Sequence, residues 1–315
     1  MTRSADAMQP GPPALVLGNG ITALGVQRIL SANRISFYAV DRTDPLVVRS
    51  RHYRVLPAAT GDPEPEGLAA WLKTLPLERA VLIPCADSWV SAIAALSPEL
   101  AERFPSSIAS ASAIEQLVDK ASFGKTLVRL GIPHPRSEIV ETREDLEAIL
   151  GTGFEGAFLK PRDSARFFHH FRCKAFRADT PEELVFRLGQ VTDAGLGAIV
   201  QEYIPGPPSN HYFIDGFRDV SGTVRAFFAR QRLRMYPPSF GNSTLMQSVA
   251  MPIVAEAANS LQDLLTYLRY RGVFSAEFKL DPRDGLFKLL EVNCRPWWYV
   301  EFAAHCGVDV CSMTY

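Results

Sequence analysis

The chain has 315 residues, 47% of them hydrophobic, with 33 Lys and Arg against 34 Asp and Glu. That length and composition support two or three packed units around a substantial core. The balanced charge excludes a broad field for nucleic acid or an anionic membrane surface and leaves small molecules as the expected partners. Cys85, Cys173, Cys294, Cys306 and Cys311 show no paired CxxC spacing, which suits a reducing compartment. No run approaches the roughly 20 apolar residues of a membrane span, and residues 1–13 lack the apolar stretch of a secretory signal. A cytoplasmic protein with a disordered tail at 1–13 is expected.

In chain order, ALVLG from Ala14 reads as a strand, Thr22 to Asn33 as a helix, and SFYAV as a strand ending at Asp41, together a βαβ unit. A helix over GLAAWLKTL, a buried strand AVLIPC and a helix over SWVSAIAAL continue the alternation. Residues 14–111 are therefore predicted to form a small α/β domain on a parallel sheet whose strand ends face a cleft. Gly18-Asn19-Gly20-Ile21-Thr22-Ala23 also fits the dinucleotide fingerprint GxGxxA, with Asp41 about 20 residues further on. Taken alone, that pattern supports an NAD(P)-dependent oxidoreductase.

A helix of about 20 residues from Ala111, carrying Lys120 and Lys125, is predicted to stop at Gly131 ahead of Ile132-Pro133. Residues 112–204 then read as an α+β unit. It comprises a short helix over TREDLEAIL, a strand GAFLKP, a second strand near FRCKAF, a helix opened by Thr180, Pro181 and Glu183 as a capping box, and a buried strand AIVQEYI. That strand ends in polar residues before Pro205-Gly206-Pro207-Pro208, which suits the wall of an interdomain ligand site, or simply a strand reaching the surface. In residues 205–315 two long strands flank the turn Asp219 to Gly222, an amphipathic helix runs from Ile253 to Tyr270, and a final hairpin precedes Trp297-Trp298, which are expected to pack. His169, His170, His211 and His305 have no metal-ligand spacing and are expected to be surface or packed residues.

The hairpin GVFSAEFKLDPRDGLFKLLEVNCRP is the most informative segment. A three-residue loop, Arg283 to Gly285, places glycine where a left-handed backbone is needed. Pro282 then pairs with Leu286, and one unbroken register sets Glu277 opposite Glu291 with Asn293 on the same face. Opposed carboxylates destabilise a sheet unless neutralised. Magnesium bound by Glu277, Glu291 and Asn293 would do so, and so would Lys279, on the same face and diagonal to Glu291. Arg295 ends the strand, where a guanidinium could hold a carboxylate or phosphate. Arg230, Arg232 and Arg234 alternate along one strand as either a cationic wall or a guarded edge.

Together these motifs resemble the ATP-grasp ligases, in particular the D-aspartate ligase and carbamoyl-phosphate-synthase-like carboxylate–amine ligases. The likeness runs in order from VLGNG through Lys120, FLKP at Lys160, QEYIPG at Gln201 and ARQRLRMYPP at Arg230 to EVNCRP. It implies a small parallel-sheet domain followed by a two-part ATP-grasp domain, split at 112–204 and 205–315, with ATP and Mg2+ as cofactors. It further implies that Lys120 and Lys160 contact the nucleotide, that Gln201, Glu202, Tyr203 and Ile204 form the adenine hinge, and that Asn210 stands in for an acidic ribose ligand. Glu277, Glu291 and Asn293 would hold magnesium while Arg295, Arg230 and Arg232 stabilise the transferring phosphoryl group. Gly20, Asp87 and Arg234 are candidates for reading substrate. The implied activity joins a small-molecule carboxylate, through an acyl phosphate, to an amine, with a homodimer as the assembly considered. PRDSARFFHH lacks the glycines of the family's phosphate loop, Asn293-Cys294-Arg295 has cysteine where proline is common, and the chain ends before most relatives do. An inactive ATP-grasp-like binding module is thus a further alternative.

Overall fold

The structure is a computed structural model that describes residues 11–56, 61, 63–140, 145, 156–161, 164–173, 175–238 and 241–315. In the leading unit, β1 (Ala14–Leu17), β2 (Phe37–Ala39) and β3 (Val81–Pro84) form a parallel sheet in the order β2-β1-β3. β1 and β3 are buried at every position, as strands covered on both faces must be. Around them lie α1 (Gly20–Ala32), α2 (Pro45–Val48), α3 (Leu68–Thr74), α4 (Asp87–Ala94) and α5 (Pro98–Arg103).

The single helix expected from Ala111 is two helices, α6 (Ala111–Val118) and α7 (Lys120–Leu130). Between them Asp119 takes an extended backbone (φ −74°, ψ 111°), and its carboxylate accepts the Ser122 amide at 2.8 Å. A side-chain cap that satisfies an orphan N–H competes with continuing the helix, and here it wins. Lys120 consequently opens α7. The predicted stop holds, since Gly131 is left-handed at φ 65°.

The small unit contains β4 (Ser137–Val140), β5 (Ala157–Pro161), α8 (Ser164–Phe171), β6 (Phe176–Ala178), α9 (Pro181–Asp193) and β7 (Ala198–Glu202), with its antiparallel sheet ordered β4-β7-β5-β6. The helix expected over TREDLEAIL lies, apart from Asp145, outside the described residues. Thr180 Oγ1 accepts the Glu183 amide as a capping box requires, while Glu183 returns its carboxylate to the Asp179 amide, one residue upstream of the cap. The strand expected near FRCKAF starts later, at Phe176, because Phe171 finishes α8. Phe167 of α8 is fully buried against the rings of Phe171 and Phe176. The glycine-poor stretch therefore supplies a helix that anchors the small unit's core.

The large sheet is antiparallel, in the order β10-β9-β8-β11-β12, from β8 (His211–Arg218), β9 (Val224–Tyr236), β10 (Asn242–Val249), β11 (Gly272–Leu280) and β12 (Phe287–Asn293), with α10 (Ala255–Tyr267) beside it. β10 escapes sequence reading because it is a mostly polar edge strand whose alternation is broken by register shifts around Leu245. After β12 come α11 (Val300–His305) and α12 (Val310–Thr314). All five cysteines are free, and among the described residues no helix is long and apolar enough to cross a membrane.

The apolar cores divide unequally. Leu15, Leu17 and Leu82 of the leading unit share one cluster with Ile214, Phe274 and Phe278 of the large sheet, and Val26 and Ile29 share another with Phe217, Val300 and Val310. Leu159, Phe167, Leu184 and Val200 of the small unit form a cluster of their own.

Candidate functional site

β11 and β12 do set Glu277 opposite Glu291 and Ser275 opposite Asn293, but not in one register. From the turn, Leu280 faces Phe287 and Phe278 faces Leu289, and a bulge at Leu290 then shifts the pairing. The turn itself is closed by Asp281, whose amide donates to Leu286 O while Gly285 donates back to Asp281 O, so Pro282 does not pair with Leu286 as predicted. The Asp281 carboxylate stabilises this turn by accepting from the Arg283 amide and guanidinium. Continued without a bulge, the outer register would have left Leu290 facing Glu277. The inserted residue re-aims β12 and brings the second carboxylate in.

Glu277 Oε1 accepts from His211 Nδ1 at 2.8 Å and lies 3.0 Å from Arg232 Nη2. Burial would raise the Glu277 carboxyl, but the His211 hydrogen bond and the charges of Arg232 and Lys160 outweigh it and hold it at about 2. Glu291 reaches solvent in the cleft but is walled by protein. Burial and the repulsion of Glu277 push its carboxyl up, with Lys160 and a hydrogen bond from Asn293 Nδ2 opposing them. His211 itself is lowered, burial prevailing over its bond to Glu277. It is a packed residue, as expected, and its ring positions Glu277. Lys279 does not neutralise Glu291: its Nζ donates to Ile204 O at 2.6 Å and sits 5.0 Å over the Tyr203 ring.

This pair lies in a cavity of about 450 Å³ between the small unit and the large sheet. Its charged lining is Lys120, Lys160, Arg177, Arg232 and Lys279 against Glu202, Glu277 and Glu291, so cations predominate. Burial and the neighbouring Lys160 lower the Lys120 ammonium to about 8 despite Glu291, and burial lowers Lys160 against the pull of both glutamates. Two lysines held at that disadvantage gain from a polyanion. Phe158, Tyr203, Ile204, Met235 and Leu290 give the same cavity apolar faces, the mixture that a nucleotide's flat base and charged tail require. Among the described residues no three His, Cys, Asp or Glu side chains are grouped to hold a metal. Two carboxylates and an amide do, however, fit magnesium, which takes one or two carboxylates and fills its remaining positions with water and phosphate oxygens.

Gln201, Glu202, Tyr203 and Ile204 all line this cavity. Gln201 Nε2 donates to Ser137 Oγ, Glu202 is held by Arg283 and the Arg136 amide, and Arg177 stacks 4.2 Å over Tyr203. The three arginines of β9 part company. Arg232 reaches the cavity. Arg230, 3% exposed, forms a buried pair with Asp215 and stacks on Phe213 at 4.0 Å, and Arg234 is exposed outside the cavity. Asn210 is not brought to the cavity wall: its Nδ2 donates to Leu280 O. Trp297 is buried in packing, as expected, whereas Trp298 is half exposed.

Arg295 grips Asp87 of α4 with two bonds, Nε to Oδ1 at 2.9 Å and Nη2 to Oδ2 at 3.0 Å, and Nη2 also donates to Asn293 Oδ1. Asp87, Lys120, Lys160, Glu291 and Asn293 line an adjoining cavity of about 250 Å³, which makes it an annex of the first. Gly20 lines neither. Its amide donates to Asp44 Oδ2 at 2.8 Å, and Asp41 accepts from the Thr43 and Asp44 amides. The α1 N-terminus and the acidic residue that a dinucleotide would need are thus occupied by the protein itself, and the oxidoreductase reading does not stand.

No protein-family model matches the chain. It is 32% identical over 232 residues to a D-aspartate ligase from Enterococcus faecium, an alignment covering 69% of this chain and 53% of the relative, so it spans about half that relative's length. Among solved structures, carboxyaminoimidazole ribonucleotide synthase from Aspergillus clavatus in complex with ATP superposes with a TM-score of 0.66 at 17% identity, over 95% of this chain and 77% of the other. An L-amino acid ligase from Bacillus licheniformis gives 0.66 at 15%, over 98% and 74%. The sequence likeness to the D-aspartate ligase and the mixed fold shared with these synthases and ligases agree with the resemblance to the ATP-grasp ligases that the motifs carry.

Proposed function

We propose that the protein is an ATP- and magnesium-dependent ligase that activates a carboxylate as an acyl phosphate and joins it to an amine. The observation that carries this reading is the opposed Glu277–Glu291 pair in a cavity whose other charges are mostly cationic. Magnesium held by Glu277, Glu291 and Asn293 would neutralise phosphate charge as the terminal phosphoryl group moves. Lys120 and Lys160 neutralise the polyphosphate from the small-unit side, and Arg232 stabilises the transferring group. Tyr203 and Ile204 wall the base. Arg295, locked to Asp87 and Asn293, orients the asparagine and ties the leading unit to the site. The small unit closing over the cleft would keep water from the acyl phosphate until the amine attacks and phosphate leaves.

D-aspartate, named in the Enterococcus relative, is the first carboxylate to try. The test is magnesium-dependent phosphate release from ATP across amino acids paired with amines, alongside thermal stabilisation by ATP–magnesium and by NAD. Acid- and amine-dependent release supports the ligase. Stabilisation by ATP with no release under any pairing supports an inactive binding module. A homodimer and a cytoplasmic location belong to the same proposal; solution mass and cell fractionation check them.

A further inference from the structure

Where the leading unit meets the large sheet lies a cavity of about 350 Å³ that shares no lining residue with the nucleotide cavity or its annex. We propose that it is a second ligand site, for a small carboxylate with an apolar body.

Two arginines, Arg218 and Arg271, line it, and no Asp or Glu does. Arg218 is only 9% exposed, and its donors go to neutral acceptors: Gly222 O, Leu265 O and Thr266 Oγ1. Its neighbour Asp219 turns its carboxylate to Ser221, Thr223 and Arg225 instead. The Arg218 guanidinium is therefore taken up on the side of Gly222, Leu265 and Thr266, with the charge of Asp219 also favouring it, and it adds positive potential to the cavity without a free donor. Arg271 donates Nε to Ile108 O at 2.9 Å, and its two terminal nitrogens meet no acceptor among the described residues. That leaves a guanidinium fork at the cavity with the geometry a carboxylate accepts.

The remaining wall sets the ligand's body. Ile93, Ile108 and Phe217 are largely buried apolar side chains that each show an edge to the cavity, and Val220, 85% exposed, stands at its lip. Phosphate or acetate would satisfy the fork and leave these faces wet. A carboxylate bearing an aliphatic or aromatic body would cover them.

The position also has a consequence for the catalytic side. Gly272, in the cavity wall, has φ 99°, and a Cβ there would come within 2.2 Å of Ser107 O, so the two units touch backbone to backbone. Gly272 begins β11, the strand that carries Glu277. A ligand bridging this joint holds that strand against the leading unit.

Hexanoate, hexanamide, acetate and inorganic phosphate titrated into the full chain by calorimetry and amide NMR test the site. Saturable binding of hexanoate is expected, with signals shifting around Ile108 and Gly272. Hexanamide, acetate and phosphate should each bind at least about tenfold more weakly, as should hexanoate to Arg271→Glu, which alters an exposed side chain. Saturating ATP should not displace hexanoate. The proposal is overturned if hexanoate does not bind, if hexanamide, acetate or phosphate matches it, if Arg271→Glu leaves it unchanged, or if ATP competes.

Discussion

The leading unit and the small unit meet the large sheet in opposite ways. The first shares two apolar clusters with it, touches it backbone to backbone at Gly272, and is pinned by the Asp87–Arg295 pair. The second keeps its own core and reaches the large sheet largely through polar contacts, Arg283 to Glu202 and Lys279 to Ile204 O, across a cavity. A continuous apolar core makes two sheets one cooperative body, whereas polar ties around a cavity leave a unit able to move against it. Glu277 and Glu291, the proposed magnesium ligands, belong to the body with the shared core and Lys160 to the unit with its own, so nucleotide binding is expected to bring the two together.

The largest effect is expected where the rigid body meets the ligand. Glu291→Gln should lower single-turnover ATP cleavage by roughly 10²–10³-fold or more, since the amide restores no charge and ligates magnesium poorly. Without metal its stability should hold or rise by up to ~1 kcal/mol, because one of two opposed carboxylates is gone. Full magnesium-dependent cleavage by the variant would remove Glu291 from the site.

At the rigid joint, Gly272→Ala places a methyl group against Ser107 O and a non-glycine residue at φ 99°. A loss of roughly 1–3 kcal/mol in chemical unfolding is expected, in the transition that the leading unit and large sheet share. Unfolding of the leading unit in a separate step would break the comparison.

Lys160→Ala should weaken ATP binding by about tenfold or more with little change in stability, because a lysine lowered by burial contributes little to the fold without its ligand. Lys120 sharpens this. With an ammonium lowered to about 8, it is partly deprotonated near that pH, and phosphate arriving beside it favours the charged form. ATP binding should therefore take up protons near pH 8 and weaken as pH rises beyond it. Calorimetry in buffers of different ionisation enthalpy measures that uptake, and less is expected for Lys120→Gln, with Lys279, lowered to about 8 in the same cavity, carrying part of the remainder.

The smallest effect is expected at the hinge. Arg283→Ala removes the exposed tie to Glu202, worth about 1 kcal/mol or less, together with the guanidinium bonds to the Asp281 carboxylate of the turn. Amide exchange should quicken in β5 and β7 and stay unchanged in β1 and β3. Equal quickening in both regions would show that the small unit is no looser than the rest.

What was legible in the sequence follows the same divide. The βαβ alternation and the hairpin are local patterns, and both were readable from period and turn chemistry. Even so, Glu277 met Glu291 through two departures that offset each other: the turn closes one residue earlier than predicted, at Asp281, and Leu290 bulges out. His211 was missed because its partner Glu277 lies 66 residues away, across a β8–β11 pairing that no local pattern encodes. Arg230, Arg232 and Arg234 share a strand face by alternation, but only the folded sheet shows that Asp215 claims the first and solvent the last. The helix break at Asp119 was a capping residue read as helix interior.

The central claim is that the terminal phosphoryl group of ATP passes to a carboxylate oxygen in this cleft. It is tested most directly by supplying D-aspartate and a panel of other amino acids with ¹⁸O-labelled carboxylates, together with ATP, magnesium and amines, and weighing the phosphate released. An acyl phosphate leaves one labelled oxygen in each phosphate formed with the productive acid, and the account predicts that label. Phosphate that carries oxygen only from water, or magnesium-dependent release that no acid stimulates, would contradict it.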